Sequence, residues 1–457
     1  MTTYEELEHV RRELSGSGRV VVLDTGALIT AEADAMLQAL HSRSVGGVDA
    51  HLAMLAKKGA RDFMASYYVG YGHKSIGDCG TTTIFIEGVS MLAAKAIQDS
   101  RLYNGQESST RYIDFSNQPF GNPVGTPKST DLLESLRAFY LEGLATMKAE
   151  LARRHPKQEN ENEKVWRKAI DARAFDIMRG FLPAGAATNL AWHTQLRAAA
   201  DHLARLRNHP LAEVRDIATA IQDALAEMHP SSFGQKHYEA SEAYTKDWLR
   251  DHYYFDGDDA WHGTQGVTLE YDGLDHTLLK NQYARILADR PTKTEPPKYL
   301  SECGILRYSF LLDFGSFRDI QRHRAVTQRM PLVTARHGFA EWYFEQMPSA
   351  LQGKARSFLA IYEKAVAALG LCDTNAQYFI PMGYRVPCRV TGDLPALIWL
   401  VELRSGVAVH PTLRTIAQTI GESMLDVCKD VGLELYLDTT PDRFNFNRGT
   451  HDIVEKK

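Results

Sequence analysis

The sequence lacks several features that would assign it to a class of proteins at once. Among its 457 residues, no apolar run approaches the roughly 20 residues that a membrane-spanning helix needs. The N-terminal stretch MTTYEELEHVRRELSGSG is charged and has no apolar core of the kind a secretory signal carries. The net charge of −5 does not favour a broad nucleic-acid-binding surface, although a local arginine cluster could hold one phosphate. We therefore expect neither a membrane nor a nucleic acid as a partner.

Cysteine is scarce, and nucleotide-binding loops of the common kinds are missing. The 5 cysteines are scattered and form no CxxC pair, so the sequence suggests neither a disulfide framework nor a metal site. A reduced, cytoplasmic setting fits this cysteine usage best. No Walker loop and no strand–GxGxxG–helix unit occurs in the sequence. The length and the ordinary composition, 44% hydrophobic and 24% charged, predict a globular protein of two or three domains.

The apolar spacing predicts both strands and helices. The stretches at 18–30 and 81–89 are β-rich, and the second continues into SMLAAKAIQDSRL, whose spacing is helical. Helical spacing dominates from 128 to 228. The stretch at 229–266 has weak periodicity and many turn formers, which is typical of a connector.

An internal repeat is visible between 178–221 and 376–420. Both stretches pass from a Leu/Ile-Pro step to a helix with arginines near its end, and then through His-Pro to a helix beginning R-x-I-A-x-x-I. The sequence therefore predicts one duplicated domain. We expect an α/β (α+β) fold with a mixed sheet and long helices in each copy. The copies would occupy 1–228 and 276–457, with a connector at 229–275.

Three short stretches contain residues that could carry chemistry. In NGQESSTRY, alternate positions place Glu107, Ser109 and Arg111 on one face of an extended segment, which suits a ligand with a phosphate or an imide edge. A solvated polar strand would show the same pattern. QRHRAV and GYGHKSIGD could form an anion site and a ligand turn, but a basic helix end and a helix cap are the plain alternatives.

Together, GHKSIGDC, IEGVS and NGQESSTRY resemble the flavin-dependent thymidylate synthases, in order and close to family spacing. The family motif is Arg-His-Arg, two residues, Ser, any residue, Asn or Gln, Glu, any residue, Ser, any residue, Arg. The resemblance covers 51–228 well and 276–436 more loosely. Each copy keeps one half of the motif. The first has Asp99, Ser100 and Arg101 in place of the basic half, and the second has Arg329, Met330, Leu332 and Thr334 in place of the other half.

This resemblance implies a composite active site between the two domains, because family members resemble homotetramers whose sites are built from several subunits. A homodimer of this chain would then mimic the tetramer. The resemblance implies catalytic roles for Glu107, Ser109 and Arg111. It implies substrate-binding roles for Gln106, Glu107, Ser109, Arg111, Arg179, Arg322 and Arg404. It implies flavin-binding roles for His73, Ser75, Asp78, Gln195, Arg197, Asp201, Arg322, His323 and Arg324.

The function implied by the resemblance is FAD-dependent one-carbon transfer to C5 of a uracil nucleotide, of the dUMP-to-dTMP type. Methylenetetrahydrofolate and NADPH would be the co-substrates. Asp78, Cys79, Asp99 and Asp319 depart from the family pattern, so two alternatives stay open. One is the same fold and flavin acting on a different pyrimidine nucleotide in a modified-nucleoside pathway. The other is a catalytically inert nucleotide-binding homologue.

Overall fold

The computed structural model describes residues 9–16, 18–23, 30–35, 78–108, 110, 113–159, 161–233, 238–256 and 266–441. Its strands are β1 (His9–Glu13), β2 (Arg19–Leu23), β3 (Thr81–Ser90), β4 (Asn104–Glu107), β5 (Ala187–Gln195), β6 (Thr268–Asp272), β7 (Ile305–Asp313), β8 (Thr327–Gln328) and β9 (Arg385–Asp393). The longer helices are α1 (Met91–Gln98), α2 (Pro127–Arg154), α3 (Glu163–Met178), α4 (Leu196–Leu206), α5 (Ala212–Met228), α6 (Glu239–His252), α7 (Phe314–Ile320), α8 (Ser349–Ala367), α9 (Leu394–Arg404) and α10 (Pro411–Val427). Short helical segments lie at Arg179–Phe181, Pro230–Phe233, His276–Leu278, Leu279–Tyr283, Ala284–Ala288, Lys298–Cys303, Glu341–Glu345, Asp373–Ala376 and Gln377–Phe379. None of the helices in these ranges combines the length and the hydropathy that crossing a bilayer requires.

The chain forms two compact units that interleave along the sequence. The first unit consists of 1–113 and 186–253, and the second consists of 114–185 and 254–457. Helices α2 and α3 therefore belong to the second unit, although they precede β5 of the first unit in the sequence. The predicted domain boundaries refer to the two copies of the repeat in the sequence. The compact units are defined by contacts in space, so these boundaries stay a prediction.

The first unit is built on a five-stranded sheet with the order β1-β2-β3-β5-β4. Along β3, buried and exposed side chains alternate, as the period of two in TTTIFI requires. Ser90 ends the strand and caps α1, since its hydroxyl accepts a hydrogen bond from the Ala93 backbone N–H. The predicted passage from a strand into a helix at this point is confirmed.

The second unit repeats this arrangement with a four-stranded sheet of order β6-β7-β9-β8. Strand β7 runs directly into α7, whose cap is Asp313, as β3 runs into α1. The order of β2, β3, β5 and β4 in the first sheet matches that of β6, β7, β9 and β8 in the second. The α/β class is thus confirmed, and the same topology occurs twice in one chain.

The sheets differ from the prediction in one respect. Every pair between the named strands is antiparallel, so the expected mixed sheets are wrong in this detail. Adjacent parallel strands need a crossover connection, usually a helix, that packs on their own sheet. The helices between β4 and β5 are α2 and α3, and they belong to the second unit instead.

Helix α2 begins at a capping box formed by Thr126 and Ser129, with Pro127 in the first turn. Its Phe139 ring stacks on Phe358 of α8 with 4.4 Å between ring centroids. Phe139 also contacts Phe181, which follows α3, at 5.0 Å. These aromatic contacts fix the turn after α3, which carries Arg179.

Two local predictions are corrected. The stretch 128–228 is not helical almost throughout, because 187–195 forms the central strand β5 with largely alternating burial. The predicted connector contains the regular elements α6 and β6. The strands β5 and β6 form by pairing with β3 and β7, which are distant in sequence.

Candidate functional site

Asp319 of the second unit is surrounded by an arginine cluster, which we define as Arg179, Arg318, Arg322 and Arg404. Arg318 lies in the last turn of α7, and Arg404 is the last residue of α9. Arg322 follows α7 by a few residues, and Arg179 begins the short turn after α3. The C-terminal end of a helix stabilises a cation because its free carbonyl groups carry partial negative charge. The fold therefore gathers these cations by bringing helix ends together.

The pKa of the Asp319 carboxyl reflects the positive charge of the surrounding arginines. Burial by itself would raise the pKa of the Asp319 carboxyl. The arginines outweigh burial, Arg322 most and Arg404 next, and the pKa is lowered from its ordinary value. Arg322 Nε lies 3.5 Å from Asp319 Oδ1, and the Arg322 side chain is 53% exposed. Asp319 and, beside Arg179, Asp313 and Asp176 offset part of the charge of the four guanidinium groups, which leaves a net positive site that suits a phosphate.

Arg404 is held in place by His323. Arg404 Nε donates a hydrogen bond to His323 Nε2 at 2.7 Å. Burial of the His323 ring, together with the nearby Arg404 charge, lowers its pKa to about 3. The ring is therefore neutral near pH 7 and accepts at Nε2, so its proton lies on Nδ1. His323, which was predicted to bind flavin, here has a role in orienting a predicted nucleotide-binding residue.

Arg179 is buried, with 8% of its surface exposed. Its Nη2 donates to Ser316 Oγ at 3.0 Å. Its Nε is a buried donor that meets no acceptor among the residues that the structure describes. Leaving a buried charged donor without an acceptor is costly, so such a group indicates a binding position for an anionic ligand.

In the first unit, Glu107 occupies the last position of β4. Its side chain is 1% exposed and forms an ion pair with the fully buried Lys95 of α1. Gln98 Nε2 donates to the same carboxylate oxygen at 2.8 Å. The neighbouring Gln106 is exposed. The structure thus fixes the orientation of Glu107, while Ser109 and Arg111 lie outside the described residues.

Some of the residues predicted to bind flavin also lie in the first unit. Arg197 donates two hydrogen bonds to Asp78, from Nε to Oδ1 at 2.6 Å and from Nη2 to Oδ2 at 2.5 Å. Gln195 and Asp201 are exposed at the start of α4 and in its second turn. The structure therefore brings Asp78 and Arg197 into contact. His73 and Ser75 fall outside the described part of the chain, and Arg324 is half-buried in the second unit.

Asp99 marks the place where the first copy has lost the basic half of the motif. Burial raises the pKa of the Asp99 carboxyl to about 6, while Arg205 and a hydrogen bond from Tyr253 act in the opposite direction. At this position the second copy has Arg322, a member of the arginine cluster. The two copies therefore differ in charge at equivalent places, as the split motif predicts.

Sequence reasoning missed Lys95 and Arg318. Each stands four residues before the Arg-His-Arg position of its copy, so a closer alignment of the two copies would have paired them. In the first copy, Lys95 is buried against Glu107. In the second copy, Met330 stands where the glutamate would be, and Arg318 joins the arginine cluster around Asp319.

Comparison with known proteins finds sequences similar to this chain. Residues 28–231 match the family model described as thymidylate synthase complementing protein. A Chlamydia muridarum protein named UPF0159 is 27% identical over 428 residues, which cover 81% of this chain and 78% of the relative. UPF0159 proteins of Chlamydia pneumoniae and Thermoplasma acidophilum are 26% and 23% identical, over 78% and 79% of this chain and 77% and 85% of their own lengths. The relatives match across both copies, so they share the double length of this chain.

Proposed function

We propose that the chain is a thymidylate synthase-like enzyme that uses FAD, because residues 28–231 match the family model described as thymidylate synthase complementing protein. The reaction would transfer a one-carbon unit to C5 of a uracil nucleotide, as in the conversion of dUMP to dTMP. Methylenetetrahydrofolate would give the carbon and NADPH would reduce the flavin. The UPF0159 names of the relatives state no activity, so the reaction is our proposal for this chain.

The observation that carries the proposal is the arginine cluster. A nucleoside monophosphate bears a compact dianion, and guanidinium groups bind phosphate oxygens through paired N–H donors. The cluster contains Arg179, Arg322 and Arg404, all of which the resemblance assigns to the nucleotide. Arg179 supplies a buried Nε that meets no acceptor among the described residues. A phosphate oxygen would satisfy this donor.

The residues predicted for the flavin fit a cofactor with polar and anionic groups. In the first unit, Gln195, Arg197 and Asp201 offer an amide, a guanidinium and a carboxylate, and the Arg197 side chain is 37% exposed. In the second unit, Arg322 and Arg324 offer cations that suit a diphosphate. When bound, reduced flavin supplies the hydride. The side chains of this protein bind and orient the reactants.

The experiment that tests the function measures flavin, nucleotide binding and turnover in the purified full chain. We expect flavin absorbance, calorimetric binding of dUMP, and release of tritium from C5-labelled dUMP when methylenetetrahydrofolate and NADPH are present. Release is expected because a one-carbon group replaces the hydrogen on C5. Turnover of UMP or dCMP in place of dUMP would instead favour the alternative substrate. A colourless protein that binds dUMP without turnover would favour the inert homologue.

The split of the motif along the sequence supports a composite site in a homodimer. Copies that each contribute one half are free to lose the other half, whereas an inert protein would have no reason to divide its losses in this way. We propose that Glu107, Ser109 and Arg111 of one copy act with Arg322 of the other, within one chain or across a dimer. Light scattering of the flavin-bound protein tests the dimer, and a stable monomer would contradict it.

Mixing two inactive variants tests the composite site. Arg322→Ala and Arg111→Ala are each expected to abolish tritium release, because each removes a cation from a different half-motif. The two variants are unfolded, mixed and refolded together so that dimers with one chain of each form. If the two half-motifs of a site come from different chains, each mixed dimer contains one working site. If the halves come from one chain, mixing restores nothing. Full activity of either variant alone would contradict the composite site in both forms.

A further inference from the structure

A chain of buried hydroxyl groups connects Arg179 to a carboxylate in the second unit. Asp313, with 1% of its surface exposed, accepts from the Ser316 backbone N–H at 3.0 Å and from the Tyr343 hydroxyl at 2.9 Å. Its second oxygen accepts from the Thr412 hydroxyl at 2.5 Å. Ser316 Oγ lies 2.9 Å from Thr412 Oγ1, and Arg179 Nη2 donates to Ser316 Oγ at 3.0 Å. Asp313 thus anchors three elements of the fold around one guanidinium.

The direction of these hydrogen bonds follows from the number of protons available. A hydroxyl has one proton to donate, and the proton of Thr412 is used on the Asp313 carboxylate. Ser316 Oγ then donates its own proton either to Thr412 Oγ1 or to His410 Nδ1, which lies 3.4 Å from Ser316 Oγ and 2.8 Å from Thr412 Oγ1. This leaves the lone pairs of Ser316 Oγ free to face Arg179. Arg179 donates to Ser316 Oγ, and Thr412 donates to the Asp313 carboxylate. Ser316, Thr412 and His410 join these two ends in one buried network, in which hydrogen bonds polarise one another.

The first unit contains the same connection without the hydroxyl that reaches an arginine. Ser90, the cap of α1, donates to Glu213 Oε2 of α5 at 2.6 Å, whereas in the second unit the cap Asp313 accepts from Thr412 of α10. At the position of Ser316, the first unit has Ala93, whose backbone N–H donates to the cap in the same way. The fold therefore accepts alanine at this position. The Ser316 hydroxyl is an addition in the unit that holds the arginine cluster.

We propose that Ser316, supported by Thr412 and Asp313, is a positioning residue that directs the guanidinium of Arg179 toward the anion bound by the arginine cluster. This positioning role rests on the proposed function in one respect, which is that the bound anion is the phosphate of the substrate. Ser316 itself is fully buried, so it acts through Arg179 and does not contact the ligand. With Nη2 fixed by Ser316, the remaining N–H groups of Arg179 keep one orientation.

The test is a double-mutant cycle on the full-length protein. Ser316→Ala is expected to weaken the binding of inorganic phosphate, and of dUMP, by roughly fivefold to tenfold, because Arg179 loses the acceptor that orients it. In an Arg179→Ala background, the same substitution is expected to change neither affinity. Calorimetry measures all four proteins, and circular dichroism with a thermal melt confirms that each is folded.

The outcomes separate this inference from the proposed function. An unchanged phosphate and dUMP affinity in Ser316→Ala would overturn the inference, as would an equal loss in both backgrounds, which would indicate a general structural effect. If the parent protein binds phosphate but not dUMP, the proposed function is wrong. The double-mutant cycle measured with inorganic phosphate then still tests the role of Ser316. If the parent protein binds neither, both proposals are wrong. Thr412→Val should reproduce the effect in the direction seen for Ser316→Ala, since it removes the next hydroxyl in the chain.

Discussion

Replacing Arg404 with alanine is expected to weaken dUMP binding by about one to two orders of magnitude and to leave the flavin content nearly unchanged. A charge-assisted hydrogen bond to a phosphate contributes roughly 1.5 to 3 kcal/mol, which corresponds to that loss of affinity. Arg404 is pre-oriented by its hydrogen bond to His323, so little conformational entropy is lost when it binds an anion. Calorimetry with dUMP and flavin absorbance measure the two effects.

Two comparison variants make this result interpretable. Arg285→Ala removes an arginine that is 92% exposed, whose only ion pair among the described residues is with Asp289 one helical turn away, and should leave both measurements unchanged. Arg197→Ala should lower the flavin content and spare dUMP affinity, because the resemblance places it with the flavin. If Arg404→Ala loses flavin but keeps its dUMP affinity, the assignment of Arg404 to the nucleotide is wrong.

Replacing Lys95 with methionine is expected to lower the free energy of unfolding by roughly 3 to 5 kcal/mol, because it removes the Lys95 cation from beside the buried Glu107 carboxylate. The Lys95 side chain is fully buried and that of Glu107 is 1% exposed, so water cannot replace the lost partner. Gln98 offers a neutral hydrogen bond, which compensates only part of the charge. Urea denaturation followed by circular dichroism measures the change.

The double variant Lys95→Met/Glu107→Met serves as the control for this effect. Removing both charges together replaces a desolvated pair by apolar groups, so most of the lost stability should return. Arg285→Ala, which breaks an exposed pair, should change stability by less than about 1 kcal/mol. If the double variant is as unstable as Lys95→Met, the loss comes from packing around the methionine and not from removal of the Lys95 charge beside Glu107.

The parts of the fold that follow from local patterns were predictable from the sequence. The β-rich stretch at 81–89 and the helical spacing after it predict β3 and α1 in their observed places. Strand β5 was hidden because it lies between long helices, and its nine residues become a strand by pairing with β3, about 100 positions away. Pairing at that separation leaves no local signal.

The candidate site shows the same division between local and distant information. The sequence placed Arg322 and His323 in one motif, and it assigned Arg179 and Arg404 to the nucleotide by resemblance. It did not predict that Asp319 would have these cations around it, since that depends on how α3, α7 and α9 end in space. Nor did it predict the burial of Glu107 against Lys95, because a charged residue in an amphipathic pattern normally faces water.

The interleaving of the two units has a consequence for synthesis on the ribosome. Helix α2 emerges long before its partner α8, and Phe139 stacks on Phe358, which is translated more than two hundred residues later. At roughly 5 to 20 residues per second, the apolar face of α2 waits on the order of ten seconds or longer for that partner. During this delay the nascent chain exposes a surface of the kind that chaperones bind. The same connectivity means that a stop codon placed after the first copy would release α2 and α3 without the segments they pack against.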